Sequence, residues 1–262
     1  MNYKKTLAIF DLTDCEGCEV EFLSLRQKKE FSFIENNFDI KNWRLLSENQ
    51  KSGPFDVSFI EGSPVSQTEV KLLKHIRKNS KMIIALGACA SIGGIPAILE
   101  ENKRKKLIEY VYGKKYKARA LNAKPISQYI TVDYHLSGCP VNPYEIKDVL
   151  LNIANDKPLK QQVYSVCLEC KSNQSECLLL SGKPCLGPIT KGGCGAICTS
   201  KGLHCYGCRG LKKDANFEGM IIALKKHGFY KKDIKKIMDI FLEESPEYQK
   251  HLKDKIRIKI NI

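Results

Sequence analysis

The 262-residue chain is short of several things, and each shortage closes off a class of protein. No apolar run reaches the ~20 residues that a membrane-spanning helix requires, and the mean hydropathy of -0.30 suits a chain surrounded by water. The opening Met1-Asn-Tyr-Lys-Lys-Thr, followed by Leu7-Ala-Ile-Phe-Asp, has no extended apolar stretch, small-residue cleavage site or twin arginine. A cytoplasmic protein with no membrane span is expected. Acidic side chains are also scarce: 29 Asp and Glu stand against 43 Lys and Arg, a formal charge of +14. Such a balance raises nucleic acid or an anionic membrane as partners. The most basic run, Glu101 to Arg119 with Lys103-Arg-Lys-Lys and Lys114-Lys-Tyr-Lys, lacks the repeated aromatics of a stacking platform. It reads as a solvated helix and loop, and no nucleic acid is expected.

Cysteine is what the chain has in plenty. Twelve Cys without an export signal argue against disulfides and for metal or redox chemistry. At this length a core can form without disulfide staples. Cys15, Cys18, Cys89 and Cys139 are spread through the first half; Cys167, Cys170, Cys177, Cys185, Cys194, Cys198, Cys205 and Cys208 crowd together. Twelve divides into three sets of four. Iron-sulfur clusters carry negative charge, which the basic balance of the chain would partly offset.

In the first half, short apolar runs at Thr6 to Leu12, Asp56 to Glu61, Lys81 to Leu86 and Ile130 to Leu136 predict strands, the middle two buried. Ser66 to Lys78, with Val70, Leu73 and Ile76 on one stripe, predicts a helix. This βαβ rhythm implies a mostly parallel α/β sheet covered by helices. From Cys167 to Gly210 the chain is dense in Gly, Pro and Cys and has little periodic apolar pattern, so something besides a conventional core must order it. Beyond it, Phe217 to Lys226 predicts a helix stopped at Gly228, and Ile234, Ile237, Met238 and Phe241 predict another, ended at Ser245-Pro246. The tail is expected to pack on the body. Three regions follow: residues 1–160, a sheet domain; 161–210, a Cys-rich arm; 211–262, a helical tail.

The first four Cys all follow predicted strands, and ligands of open α/β sheets bind at the carboxyl ends of strands. Cys15, Cys18, Cys89 and Cys139 can therefore converge on one cluster. Gly17, Gly87, Gly93-Gly94 and Gly138 beside them permit close backbone approach, so that N–H groups can point at sulfur. Pro140 turns the chain away, and Pro143-Tyr-Glu-Ile starts a helix whose N-terminus favours an anionic site. Read in order, Cys167, Cys170, Cys177 and Cys185 hold a second cluster, and Cys194, Cys198, Cys205 and Cys208 a third. The competing reading is zinc, with a ribbon built from Cys167/Cys170 and Cys205/Cys208. Its loop is longer than the usual ~15–20 residues and leaves four Cys in need of another site.

Several segments together resemble a known family: Thr13-Asp-Cys-Glu-Gly-Cys-Glu, Phe59-Ile-Glu-Gly-Ser, Leu86-Gly-Ala-Cys-Ala, Gly138-Cys-Pro, Val166-Cys-Leu-Glu-Cys and Pro184-Cys-Leu-Gly-Pro-Ile-Thr-Lys-Gly-Gly-Cys-Gly-Ala. Over nearly its whole length the chain resembles the small subunits of soluble nickel-iron hydrogenases, most of all the delta subunits of the cytoplasmic sulfhydrogenase, NAD(P)-linked group. The resemblance implies a flavodoxin-like domain with a proximal 4Fe-4S cluster on Cys15, Cys18, Cys89 and Cys139. It implies a distal 4Fe-4S cluster on Cys167, Cys170, Cys177 and Cys185, and a medial one on Cys194, Cys198, Cys205 and Cys208, three clusters in all. Departures are small: Lys191 stands where relatives often have Arg, and Thr199 where Pro is common. The implied role is electron transfer in a hydrogenase whose nickel-iron centre lies on a large subunit. A flavin NAD(P)-binding subunit and an iron-sulfur subunit are the further partners implied. Alternatives are a methanogen-type hydrogenase feeding heterodisulfide reductase and, from another class, a zinc-stabilised nucleic-acid-binding protein. Complex I-type relatives share the first domain and lack the eight-Cys arm.

Other polar residues carry a functional and a plain reading each. Glu16 and Glu19 could relay protons, but residues at a helix start interact with its dipole. His204 could hydrogen-bond a cluster or simply be exposed. His135 reads as a core or edge histidine. Arg209, Lys212 and Lys213 could neutralise a reduced cluster, and as surface charges they need no explanation.

Overall fold

The computed structural model describes residues 4–27, 31–48, 50–98, 101–116 and 120–251. Five parallel strands, β1 (Lys5–Asp11), β2 (Phe38–Asn42), β3 (Phe55–Glu61), β4 (Ser80–Leu86) and β5 (Tyr134–Leu136), form one sheet. Their order, β2-β1-β3-β4-β5, is the flavodoxin-like winding. Strands β1, β3 and β4 lie where the apolar runs predict them. Only the last three residues of the fourth predicted run pair as β5. Ile130 and Val132 ahead of it pack on the sheet from a loop, so their apolar character serves burial and not pairing. Edge strand β2, Phe-Asp-Ile-Lys-Asn, is not among the predicted strands; its alternation of apolar and polar residues lasts only four positions.

Alternation along the central strands splits the core in two. Val57, Phe59 and Ile84 face helices α1 (Gly17–Gln27), α2 (Phe31–Asn37) and the helix of residues Pro143–Ala154, with Phe22, Trp43, Ile146 and Leu150. Ile60, Ile83 and Ala85 face Leu73 and Ile76 of α3 (Gln67–Lys78). Helix α3 starts at Ser66, whose Oγ accepts the Glu69 N–H at 3.2 Å while Glu69 Oε2 accepts the Val65 N–H. Such a cap contributes about 1 kcal/mol. Short helix α4 (Gly87–Ile92) leaves β4, and α5 (Glu101–Tyr112) carries the basic run with Tyr110 and Tyr112 exposed, as a solvated helix. Lys117, Ala118 and Arg119, the end of that run, lie outside the described residues. Helix α6 (Pro143–Ala154) begins with proline after an Asn142 cap.

The arm opens with α7 (Val166–Ser172) and is otherwise irregular. Val166, Leu178, Cys185, Ala196 and Cys205 make a small buried cluster. Although the arm has little periodic apolar pattern, its Leu186 and Ile189, with Leu211 just beyond it, join Phe217, Met220, Leu224, Met238 and Leu242 of α8 (Phe217–Lys226) and α9 (Lys231–Leu242). These arm residues are placed singly by turns, which is why no periodicity announces them. Phe241 packs against Ala88 and Ile92, seating the tail on the body. No helix among the described residues is long and apolar enough to cross a membrane.

Candidate iron-sulfur sites

Cys15 and Cys18 follow β1, Cys89 sits in α4 directly after β4, and Cys139 follows β5, so all four lie at the carboxyl edge of the sheet. All twelve cysteines are free thiols. Cys18 is buried, Cys89 half-buried, and Cys15 and Cys139 are exposed. The backbone is shaped around these sulfurs. Gly87 takes φ +85, and a Cβ there would fall 2.5 Å from Cys18 Sγ, so only glycine lets β4 turn into α4 at this point. Burial pushes the Cys89 thiol up to about 12, with Cys139 and Cys15 adding to it. Cys139 is raised by burial and then by Cys15. Each thiol thus sits in the field of the others.

Within the arm, Cys167 and Cys185 face a common point: both sulfurs lie within 3.5 Å of where a Cβ on Gly187 would be. Burial raises Cys167, followed by Cys185, Cys170 and Cys177. Cys194, Cys198, Cys205 and Cys208 line a cavity of about 770 Å³ whose wall also includes Cys139 and Val141. Burial raises Cys208 to about 12, with Cys194 and Cys139 next. Buried Cys205 is raised as well and interacts with both Cys208 and Cys185. Cys139 thus shares a cavity with the last quartet, and Cys205 Cβ lies 3.9 Å from the point at Gly187 that Cys167 and Cys185 face. Crowded buried thiols of this kind ionise only when a cationic group sits among them. Among the described residues no three His, Cys, Asp or Glu side chains are arranged to hold a single metal ion. A four-iron cube takes one thiolate on each iron and so does not need three ligands on one ion.

Carboxylates support this framework. Glu61, at the end of β3, accepts the Cys18 N–H at 3.1 Å and the Glu19 N–H at 2.8 Å, holding the start of α1. Burial raises its carboxyl to about 7. Glu19 is itself buried, accepts the Trp43 Nε1–H at 2.7 Å, and is raised to about 8 by burial. Glu16 precedes α1 at φ 58 and accepts from Arg44 at 2.8 Å, so an ion pair and not the helix dipole occupies it. In the arm Glu169 accepts the Gly193 N–H at 2.6 Å and the Ala196 N–H at 3.2 Å, and Cys194 Sγ donates to it at 3.7 Å. The middle of Val166-Cys-Leu-Glu-Cys thereby ties α7 to the Cys194 loop. None of the roles of Glu61, Trp43 and Glu169 is evident from the sequence, although Glu61 and Glu169 fall inside the quoted segments.

His135 lies half-buried on β5, its imidazole pKa pushed down by burial. His204 packs its ring 4.0 Å from that of Tyr206. Lys212 pairs with Asp214 at 3.0 Å, and Lys213 is exposed. Arg209 departs from the surface reading: it is 5% exposed and bound to Glu145.

Residues 15–153 match the family described as NADH ubiquinone oxidoreductase, 20 Kd subunit, and the match ends ahead of Cys167. The chain belongs to that family. Over its length it is similar to hydrogenase subunits: it is 38% identical over 222 residues to the sulfhydrogenase 2 subunit delta of Pyrococcus furiosus, covering 84% of this chain and 92% of that one. It is 29% identical over 235 residues to a vhu subunit of the F420-non-reducing hydrogenase of Methanocaldococcus jannaschii, covering 78% and 81%. In fold it matches a chain of an NAD+-reducing [NiFe]-hydrogenase in the H2-reduced state, with a TM-score of 0.53 and 22% identity, over 60% of this chain and 94% of that one.

Proposed function

We propose that this chain is the electron-transferring small subunit of a nickel-iron hydrogenase, holding a proximal 4Fe-4S cluster on Cys15, Cys18, Cys89 and Cys139. Cys194, Cys198, Cys205 and Cys208 hold the medial cluster, and Cys167, Cys170, Cys177 and Cys185 the distal one. When bound, these groups supply one-electron uptake and release. The observation that carries the reading is the sharing of surroundings between quartets: Cys139 lines one cavity with Cys194, Cys198, Cys205 and Cys208, and Cys205 meets Cys185 and Cys167 around Gly187. Neighbouring sites of this kind suit the passage of single electrons.

The residues have separate tasks. Cys15 and Cys139 present the first site at the exposed sheet edge, where a large subunit bearing nickel would close over it. Tyr144 and Ile197, more than half exposed, line the neighbouring cavity and suit the same contact. Glu61 fixes Cys18 by its backbone. The distal end leads to a flavin subunit that reduces NAD(P), with an iron-sulfur subunit between them, in a cytoplasmic complex. Similarity to the methanogen subunit keeps a second acceptor in view, and the copurifying subunits decide between them: a flavin NAD(P)-binding partner supports the first reading. Anaerobically purified protein is expected to contain about 12 iron and 12 acid-labile sulfide per chain. Stoichiometric zinc in their place overturns the reading. Cys15→Ala is expected to abolish hydrogen-dependent acceptor reduction while the two arm clusters survive; unchanged activity would remove the proximal assignment.

A further inference from the structure

One buried cation connects the sheet domain to the arm. Arg209 Nε donates to the Gly192 carbonyl at 2.7 Å, and its Nη1 to the Ser137 carbonyl at 2.6 Å. Nη1 and Nη2 also form a two-pronged pair with the Glu145 carboxylate at 2.7 and 2.8 Å. Ser137 lies two residues before Cys139, Gly192 two residues before Cys194, and Arg209 directly after Cys208. Glu145 stands in the first turn of α6. A single side chain thus touches the strand end that leads to the first quartet and both segments that carry the last.

Space around it is fully used. Gly193 has φ +113, and a Cβ there would fall 2.3 Å from Glu145 Oε1 and 2.4 Å from Arg209 Nη2. The pair of glycines before Cys194 is explained by this contact and by Tyr164, whose ring would lie 2.2 Å from a Cβ on Gly192. A buried ion pair is a poor way to gain stability, because desolvating both charges cancels most of their attraction. Two apolar side chains would fasten the seam as well. What they would not supply is a fixed positive charge beside sulfur: Arg209 lines the same cavity as Cys194, Cys198, Cys205 and Cys208. Glu169 Oε2 lies 3.7 Å from Cys194 Sγ, so a carboxyl group as well as the guanidinium reaches this set of sulfurs.

We propose that Arg209 is a positioning residue for electron transfer, which fixes the arm on the sheet domain and raises the reduction potential of the group held by Cys194, Cys198, Cys205 and Cys208. This rests on the electron-transfer reading above. The electron comes from the neighbouring site, which is oxidised by one electron as this one is reduced; no bond forms or breaks and no proton moves. Arg209 stabilises the one added negative charge. Lysine cannot replace it, since a point charge on a flexible stem cannot bond a carboxylate and two carbonyls together.

The test is a potentiometric titration followed by electron paramagnetic resonance on the anaerobically purified complex, with iron counted in each sample. Arg209→Met is expected to shift one of three midpoint potentials to lower values and leave the other two in place. Glu145→Gln, which leaves the cation without its counter-charge, is expected to shift the same potential upward. A merely structural tie would not give shifts of opposite sign. If Arg209→Met loses iron, Glu145→Gln and Arg209→Lys carry the test, the lysine variant lying nearer to wild type than a neutral residue can. A potential unmoved or lowered in Glu145→Gln, with about 12 iron still bound, overturns this inference alone. Wild-type protein without iron overturns the electron-transfer reading, and this inference falls with it.

Discussion

The sheet domain and the cysteine-rich arm are ordered by different forces. In the first, Leu7, Val57, Phe59, Phe22 and Ile84 are fully buried on one face of the sheet, and Ile60, Ile83 and Leu73 on the other. Apolar burial of that kind carries a fold by itself. In the arm the buried cluster is small, two of its five members are cysteines, and much of the remaining packing is lent by α8 and α9. One region brings its own folding free energy. On the function proposed above, the other depends on what its thiols hold, because ligands that converge only in the folded state convert binding into folding.

Removing the iron should give the largest effect and separates the two regions most cleanly. Hydrogen exchange read by mass spectrometry after chelation is expected to show β1, β3 and β4 still protected and residues 166–211 exchanging freely. Loss of protection in the sheet at the same time would make the chain one cooperative unit and dissolve the contrast. A truncation in the sheet core tests the other half. Phe59 meets Phe22 edge to face at 5.4 Å between ring centres, and Phe59→Ala is expected to cost about 3–5 kcal/mol in urea unfolding. Arm signals in the loaded protein should be unchanged at low denaturant.

Glu61→Gln sharpens the boundary between them. Its two oxygens serve the N–H groups of Cys18 and Glu19, and an amide offers only one acceptor to the pair. The orphaned N–H costs about 1–3 kcal/mol. The expected outcome is loss of about a third of the iron, all from the first site. Equal loss from the arm would show that the quartets are not independent.

Local chemistry made much of this legible. The cysteines, the glycines beside them and the prolines that start helices act within a few residues, so their spacing carries their meaning; Gly87 against Cys18 is one such case. The three central strands are legible because both their faces are buried. What escapes is set by distant partners. Arg209 reads as a surface charge until Glu145, 64 residues earlier, is brought against it. Glu61 reads as a strand end, and its hold on α1 depends on residues 42 and 43 positions away. Edge strand β2 escapes for the opposite reason: its own alternation, Phe38-Asp-Ile-Lys, is local but only four residues long, too brief to stand out from the polar chain around it.

The smallest expected effect lies at the far end of the sheet, where no cysteine intervenes. Asp56 Oδ2 accepts the Thr6 N–H at 2.8 Å and the Thr6 hydroxyl at 3.0 Å, joining the start of β3 to β1. Burial works to raise its carboxyl, but the Lys81 ammonium at 2.7 Å and the Thr6 donors outweigh it and hold the pKa below the ordinary 3.8. A carboxyl depressed in the folded state contributes stability that is complete above its unfolded pKa and fades as pH falls through the folded value. In the metal-free chain, Asp56→Asn is therefore expected to lower stability at neutral pH and to lessen the loss of stability below about pH 4. Urea midpoints taken across that range measure both. An unchanged acid limb would mean that Thr6 and Lys81 do not hold the Asp56 carboxyl below its unfolded value; the raised carboxyls of Glu61 and Glu19 at the other edge cannot supply the loss, because their protonation favours the folded state.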